Sequence, residues 1–107
     1  MKKNMIGIVF AVMGLISHEA YADWHGGRVT QINIGYEGST ITFIVDGWTR
    51  SNCTCYSTWS NMMCQNRART SFKEEVAMLF SARARSTELF ANIDEATCSV
   101  VAMYEIG

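Results

Sequence analysis

The chain has 107 residues, four cysteines and no proline, and its nine Lys and Arg against ten Asp and Glu leave a formal net charge of −1. A chain of this length holds one domain, because it is too short to enclose two hydrophobic cores. The near-zero charge excludes the strongly basic surface on which nucleic-acid binding depends, so we expect no nucleic-acid partner.

The start of the chain has the features of an export signal. Two lysines precede an unbroken run of apolar and small residues, 5–16, and Ala20 and Ala22 occupy the −3 and −1 positions of a cleavage site. The run is shorter than the roughly 20 residues that span a bilayer. We therefore predict cleavage between Ala22 and Asp23, with no membrane attachment of the mature chain.

Removal of the signal peptide, residues 1–22, leaves one domain of 85 residues, 23–107, that contains all four cysteines. An even number of cysteines in a small domain of the periplasm or the extracellular space is typical of disulfides, which a small core commonly needs. Zinc is not favoured, because "CTC" lacks the usual ligand spacing and His25 is the single histidine left after cleavage. We predict neither a metal nor a cofactor.

Three segments after the cleavage site have the alternation of a strand. The segment "TQINIGY" (30–36) alternates apolar with polar residues, and "TITFIVDGW" (40–48) is rich in β-branched residues. The third, "CYSTWSNMM" (55–63), alternates less regularly. These segments are the first three predicted strands.

A helix is predicted next, from Ser71 to about Arg85. Ser71 and Glu74 have the S-x-x-E spacing of a capping box, which marks the start of a helix. Apolar residues at helical spacing then predict one stripe that packs on a sheet. The stripe comprises Phe72, Val76, Leu79 and Phe80, and Met78 is expected to point away from it.

The segments "TELFANI" (87–93) and "CSVVAMYEI" (98–106) complete the pattern as two further strands. The predicted fold is mainly β with one helix. Its order β-β-β-α-β-β is that of a five-stranded Greek-key barrel of the OB type. The alternative is a helix packed on an open sheet.

The barrel interpretation predicts how the cysteines pair. The third and fifth strands of such a barrel are parallel neighbours, and Cys55 and Cys98 begin them. The preferred pair is therefore Cys55–Cys98, and Cys53 could take the place of Cys55. The remaining pair, Cys53–Cys64, requires the chain between them to curl back, because a straight strand would separate them by roughly 30 Å.

A loop after the second predicted strand is the candidate ligand site. It combines an aromatic ring, short polar side chains and a guanidinium, a set that suits a sugar with its apolar face and its hydroxyls. The alternative interpretation is that Trp48 belongs to the core and Arg50 is solvated. The candidate residues are Trp48, Thr49, Arg50, Ser51 and Asn52, with Tyr36 and Trp24 as further members.

Several features resemble the B subunits of bacterial AB5 toxins of the subtilase-cytotoxin and typhoid-toxin type. These are the export signal, Asp23-Trp24 with Gly26 close behind, Trp59, and a helix that opens with "SFKEE" at Ser71. The resemblance implies an OB fold, a pentameric ring, binding of sialylated host glycans and an enzymatic A subunit as partner. It assigns no glycan-contacting residue in this chain.

The expected function is a small exported, non-catalytic binding or interaction domain, with glycan binding of the B-subunit kind as one form of it. The alternative is a periplasmic protein inhibitor or another interaction protein. An enzyme is least expected, because the sequence offers no recognisable Ser-His-Asp set around its one remaining histidine. The expected partners are a host or surface glycan, an exported A subunit or other protein, and further copies of the chain.

Overall fold

A computed structural model describes residues 22–35 and 40–107 of the chain, so the signal peptide up to residue 21 and Tyr36 lie outside the described residues. Five strands form one antiparallel sheet, accompanied by one helix, which confirms the mainly-β class. The strands are β1 (Ala22–Ile34), β2 (Thr40–Val45), β3 (Met63–Asn66), β4 (Glu88–Asp94) and β5 (Val100–Ile106), and the helix is α1 (Phe72–Arg85).

The long strand β1 lies at the centre of the sheet, whose order is β3-β2-β1-β4-β5. Its first half pairs with β4, from Ala22 opposite Asp94 to Arg28 opposite Glu88. Its second half pairs with β2, and the register shifts just after Val29. β1 therefore changes partner midway and joins the two halves of the sheet.

The sheet is not closed. Its edge strands, β3 and β5, approach at a parallel bridge between Cys64 and Ser99 that lies outside the regular pairing. The amide of Cys64 donates to the carbonyl of Cys98 at 3.0 Å. This contact brings the start of β5 beside β3 without a continuous ladder.

The core lies between the sheet and α1. Alternate residues of a strand point to the same face, and β2 and β4 both contribute buried side chains to the same core cluster. The fully buried side chains there include Phe43 and Val45 of β2, Leu79 of α1, and Leu89 and Ile93 of β4.

The start of α1 differs from the predicted capping box, although the helix itself is confirmed. Ser71 is the N-cap residue, but its hydroxyl caps no main-chain amide. The hydroxyl instead donates to Oε2 of Glu75 at 2.8 Å. Glu74, the expected second half of the box, is exposed. Two acidic residues in the first turn still suit the positive end of the helix dipole.

The buried stripe of α1 is rotated from the prediction. Phe72 and Leu79 are buried as expected, but Phe80 is 43% exposed and Met78 packs against the core. The prediction was wrong because it allowed only apolar residues in the stripe, whereas a carboxylate, that of Glu75, is buried in it.

Three residues donate hydrogen bonds to the side chain of Glu75. Nε and Nη2 of Arg69 form a two-pronged ion pair with its two oxygens, at 3.0 and 2.7 Å. The buried amide of Gln65 and the hydroxyl of Ser71 supply further hydrogen bonds. The guanidinium of Arg69 is the first cause that lowers the pKa of Glu75 below its usual range, and it outweighs the opposing effect of burial.

The third predicted strand is wrong in position. β3 covers Met63–Asn66, and the segment 53–62 is irregular. A disulfide between Cys55 and Cys64 brings their Cα atoms to 6.1 Å, which an extended strand over the same residues could not allow. β1 in turn begins before the predicted residue 30, because the polar start of the strand hides its pairing with β4.

All four cysteines form disulfides, as predicted, but the preferred connectivity is corrected. Cys53 pairs with Cys98, and Cys55 pairs with Cys64. The amide of Cys55 and that of its neighbour both donate to the carbonyl of Thr97, which lays the segment 53–55 beside Cys98. The side chain of Cys53 is buried there. Cys53 therefore takes the place of Cys55 in the bond to Cys98, which is the alternative pairing stated above.

Two disulfides are typical of an oxidising, extracellular setting. Within the part of the chain that the structure describes, no helix has both the length and the apolar character needed to cross a membrane.

Candidate functional site

The loop predicted to bind a ligand is only partly arranged as a site. Trp48 is 7% exposed and belongs to the core, so its ring offers no open face for stacking. Trp48, Thr49 and Arg50 line a cleft of about 230 Å³ together with Ile44 and Asn61. Ser51 and Asn52 are exposed and do not line this cleft.

The guanidinium of Arg50 is already engaged. Its Nη2 lies 2.5 Å from Oε1 of Glu95, and its Nη1 donates to the carbonyl of the same residue at 3.2 Å. The guanidinium carbon also lies 5.7 Å from the ring centre of Trp48. Arg50 is therefore neither solvated nor available to a carboxylate of a ligand without loss of the Glu95 pair.

The carboxylate of Glu95 joins two parts of the chain. Its second oxygen lies 2.8 Å from Nε2 of His25, on β1. Burial would raise the pKa of Glu95, but hydrogen bonds from His25 and Arg50 together hold the pKa below its usual range. Asp23, His25 and Glu95 each offer one atom that could bind a metal, and these three atoms lie within 4.8 Å of one another. We name this group the Asp23–His25–Glu95 cluster.

Trp24 lies on the other face of β1, apart from the Trp48 loop. Successive side chains of a strand point to opposite faces, and His25 is the neighbour that faces Trp48, with ring centres 6.2 Å apart. Trp24 is 43% exposed and packs against Tyr104 at 5.0 Å, and Tyr104 stacks on Phe90 at 5.1 Å. We name Trp24, Phe90 and Tyr104 the outer aromatic face.

A second cleft contains two aromatic residues that the sequence did not single out as a site. Tyr56 and Trp59 have ring centres 5.2 Å apart and planes inclined by 33°. With Ile34, Gly35 and Thr58 they line a cleft of about 310 Å³, which we name the Tyr56–Trp59 cleft. Trp59 is 36% exposed, so its ring is accessible to a ligand.

The Cys55–Cys64 disulfide restricts the position of these two rings. Both lie within the loop that the Cys55–Cys64 disulfide closes. Tyr56 packs close to the main chain at Gly35, where a Cβ atom would come within 2.8 Å of the tyrosine ring. Two aromatic residues inside a short disulfide loop were a usable signal, but the assignment of 55–63 to a strand concealed it.

Three groups among the residues that the structure describes differ in the kind of ligand they could contact. The Tyr56–Trp59 cleft offers ring faces with a hydroxyl, the outer aromatic face offers apolar area, and the Asp23–His25–Glu95 cluster offers metal-ligand types. Comparison with known proteins gives no match to a protein-family model, to a curated protein or to a solved structure.

Proposed function

We propose that residues 23–107 form an exported, non-catalytic binding domain with a partly open barrel of the OB type, and that its ligand is a glycan held in the Tyr56–Trp59 cleft. The observation that carries the proposal is the pair of inclined, accessible aromatic rings in that cleft. The signal-like start of the chain and the two disulfides support export.

Three features of the sheet support the barrel. β1 pairs with β4 in its first half and with β2 in its second, with a register shift just after Val29. The edge strands β3 and β5 meet at the parallel Cys64–Ser99 bridge. The Cys53–Cys98 disulfide then ties the segment before β3 to the start of β5. A five-stranded Greek-key barrel requires an approach of its two edge strands, and these contacts are consistent with that requirement.

The chemistry of the cleft suits a sugar. Pyranose rings present an apolar C–H face that stacks on Tyr and Trp, and hydroxyls that need short polar partners. Thr58 lies beside the two rings and supplies a hydroxyl. The cleft volume of about 310 Å³ is at the lower end of the range for small-molecule sites. The Cys55–Cys64 disulfide limits the freedom of the loop, so less ordering entropy is lost on binding.

The same criteria disfavour the loop after β2. Its tryptophan, Trp48, has no accessible ring face, and its cation, Arg50, is held by Glu95. The glycan hypothesis therefore moves from Trp48 to Trp59 while the expected class of ligand stays the same.

A glycan array with the exported protein tests the proposal, followed by calorimetric titration of any glycan that binds. We expect Trp59→Ala to lose binding, because a stacked ring is removed from the cleft. Trp24→Ala is the matched control, since Trp24 is a comparably exposed tryptophan outside the cleft. Far-ultraviolet circular dichroism must show that both variants are folded. A folded wild-type protein that binds no glycan, or equal binding by Trp59→Ala, would reject the assignment.

The outer aromatic face supports a second candidate function, protein interaction with further copies of the chain. Trp24 and Tyr104 are each more than 40% exposed, and Val101 and Ile106 of β5 are also exposed. The AB5-like resemblance of the sequence makes a ring of identical subunits, with an exported A subunit, the specific form of this candidate. Inhibition of another exported protein through this face is the alternative. Sedimentation equilibrium of the wild type and Tyr104→Ser distinguishes an oligomer from a monomer.

A further inference from the structure

Cleavage of the signal peptide is part of the proposed function, and it would create a new N-terminus with a histidine as its third residue. Cleavage after Ala22 makes Asp23 the first residue and places His25 third. The new terminus then has a free amine, two main-chain amides and an imidazole within three residues. The inference below rests on that cleavage.

Four nitrogens in this spacing can surround one metal ion in a plane. They are the terminal amine of Asp23, the amide nitrogens of Trp24 and His25, and Nδ1 of His25. Cu(II) and Ni(II) are the divalent ions that favour square-planar nitrogen ligands. We propose that the mature N-terminus binds one Cu(II) or Ni(II) ion through these four nitrogens, although the sequence predicted no metal.

The geometry at His25 supports this ligand set. Nε2 of His25 faces Glu95, so Nδ1, the ring nitrogen nearer the main chain, is the one left for a metal. A metal-binding histidine commonly has a carboxylate on its other nitrogen, which orients the ring and makes it a better ligand. Arg50 holds the other carboxylate oxygen of Glu95, Oε1, in place. Glu95 is thus a positioning residue and not a ligand.

The side chain of Asp23 adds negative charge beside the site. Its carboxylate accepts a hydrogen bond from the amide of Trp24 at 2.9 Å. It also lies within 4.8 Å of the donor atoms of His25 and Glu95. Arg50 balances the charge of Glu95, so it is the carboxylate of Asp23 that favours a cation at this end of β1.

Binding has a structural consequence. The amides of Trp24 and His25 each release a proton, so binding strengthens as pH rises. Both amides must also turn toward one ion, whereas successive amides of a strand point to opposite sides. The pairs of residues 23–25 with β4 therefore open, while those of residues 26–28 remain. Gly26 and Gly27 allow the chain to turn at that point.

This opening couples the metal to the surface of the domain. Trp24 then leaves the ring of Tyr104, whose centre lies 5.0 Å from that of Trp24 in the structure. The outer aromatic face then consists of Phe90 and Tyr104 alone. Metal binding would therefore change the face that the second candidate function uses for assembly.

Titration of the exported protein with Cu(II), and separately with Ni(II), tests the inference. Visible absorption and electron paramagnetic resonance report a four-nitrogen plane, and competition with a chelator gives the affinity. Intact mass establishes the N-terminal residue before titration. We expect one equivalent of Cu(II) in the wild type, and loss of this binding in His25→Ala. Glu95→Gln should keep the spectrum but weaken the affinity by about 10–100-fold.

An alanine inserted between Ala22 and Asp23 is the matched control. It keeps all side chains of the Asp23–His25–Glu95 cluster but makes His25 the fourth residue, so the four-nitrogen spectrum should disappear. An unchanged spectrum and affinity in this variant would overturn the chelate. A terminus other than Asp23 would overturn both the cleavage and the metal inference. A correct terminus that binds no Cu(II) would reject the metal inference alone.

Discussion

The ring of Phe90 lies directly over Gly26, its cross-strand partner in the pairing of β1 with β4. A Cβ atom at Gly26 would lie 2.2–2.6 Å from three carbons of this ring. The missing side chain at position 26 is what allows the ring to lie flat on the strand. Tyr104, the next residue across the sheet, stacks on the same ring.

Gly26→Ala should therefore destabilise the domain. The added methyl group must displace Phe90, and overpacking of this kind costs about 1–3 kcal/mol. Urea unfolding measures the loss in the free energy of unfolding. In a Phe90→Ala background the same change should cost less than about 0.5 kcal/mol, because no ring remains to be displaced. An equal cost in both backgrounds would show that Phe90 is not responsible.

The two disulfides should contribute unequally to stability. Cys53–Cys98 spans 45 residues of sequence and Cys55–Cys64 spans nine. In the chain-entropy account, loops of these sizes are worth about 4 and about 2.7 kcal/mol. Thermal unfolding of the two double Cys→Ser variants compares them. A less stable Cys55→Ser/Cys64→Ser variant would contradict the entropic ranking, and peptide mapping of the wild type checks the connectivity itself.

The partly buried pair of Arg69 and Glu75 predicts loss of stability in acid. The pKa of Glu75 is lowered in the folded chain, chiefly by Arg69, whereas a glutamate in an unfolded chain titrates near ~4.3. The stabilisation is therefore present above about pH 4.3 and is lost as the pH falls through the lower folded pKa.

Glu75→Gln should remove this part of the acid dependence and cost about 1–3 kcal/mol at neutral pH, because charged hydrogen bonds to Arg69 are lost. Urea unfolding at several pH values between about 3 and 7 measures both effects. Glu74→Gln, one residue earlier and exposed, is the control and should behave like the wild type. A parallel pH profile for Glu75→Gln and the wild type would contradict the prediction.

The natively exported protein should begin at Asp23 and contain no free thiol. The prediction follows from the signal-like start and from the two disulfides. Intact mass before and after alkylation under non-reducing conditions tests both statements. Two or more alkylated cysteines would contradict the disulfides, and a retained N-terminal segment would contradict the cleavage.

Regular local patterns in the sequence were sufficient to predict several of the secondary-structure elements. The β-branched run of β2 and the spacing around α1 predicted both elements correctly, because each depends on neighbours close in sequence. The mainly-β class followed from the remaining alternation. The first half of β1 was missed because its residues, starting with Ala22, are defined by pairing with β4 rather than by their own pattern.

The parts of the candidate site that depend on distant contacts were not predictable from the local sequence. The sequence left two interpretations of Trp48 open, a ligand-binding ring or a core residue, and the structure shows the core residue. Arg50 meets Glu95 only because the turn after β4 returns to the loop after β2. Alternation in the segment 55–63 favoured a strand, but the disulfide that bends this segment is a tertiary constraint. Each error was therefore a local pattern overruled by a long-range contact.

The divided pairing of β1 determines the order in which the domain can fold. A chain that crosses a membrane with its N-terminus first delivers β1 early, but β4, the partner of its first half, follows only at Glu88. Until then this half of β1 has no partner and Cys53 has no Cys98, whereas Cys55 and Cys64 are close enough in sequence to meet at once. The short disulfide loop, with Tyr56 and Trp59 inside it, is thus able to form before the edge strands β3 and β5 approach each other. The last strands to emerge complete the fold, so, if the chain is exported as proposed, arrest before β4 would leave an oxidised loop beside an unpaired first half of β1.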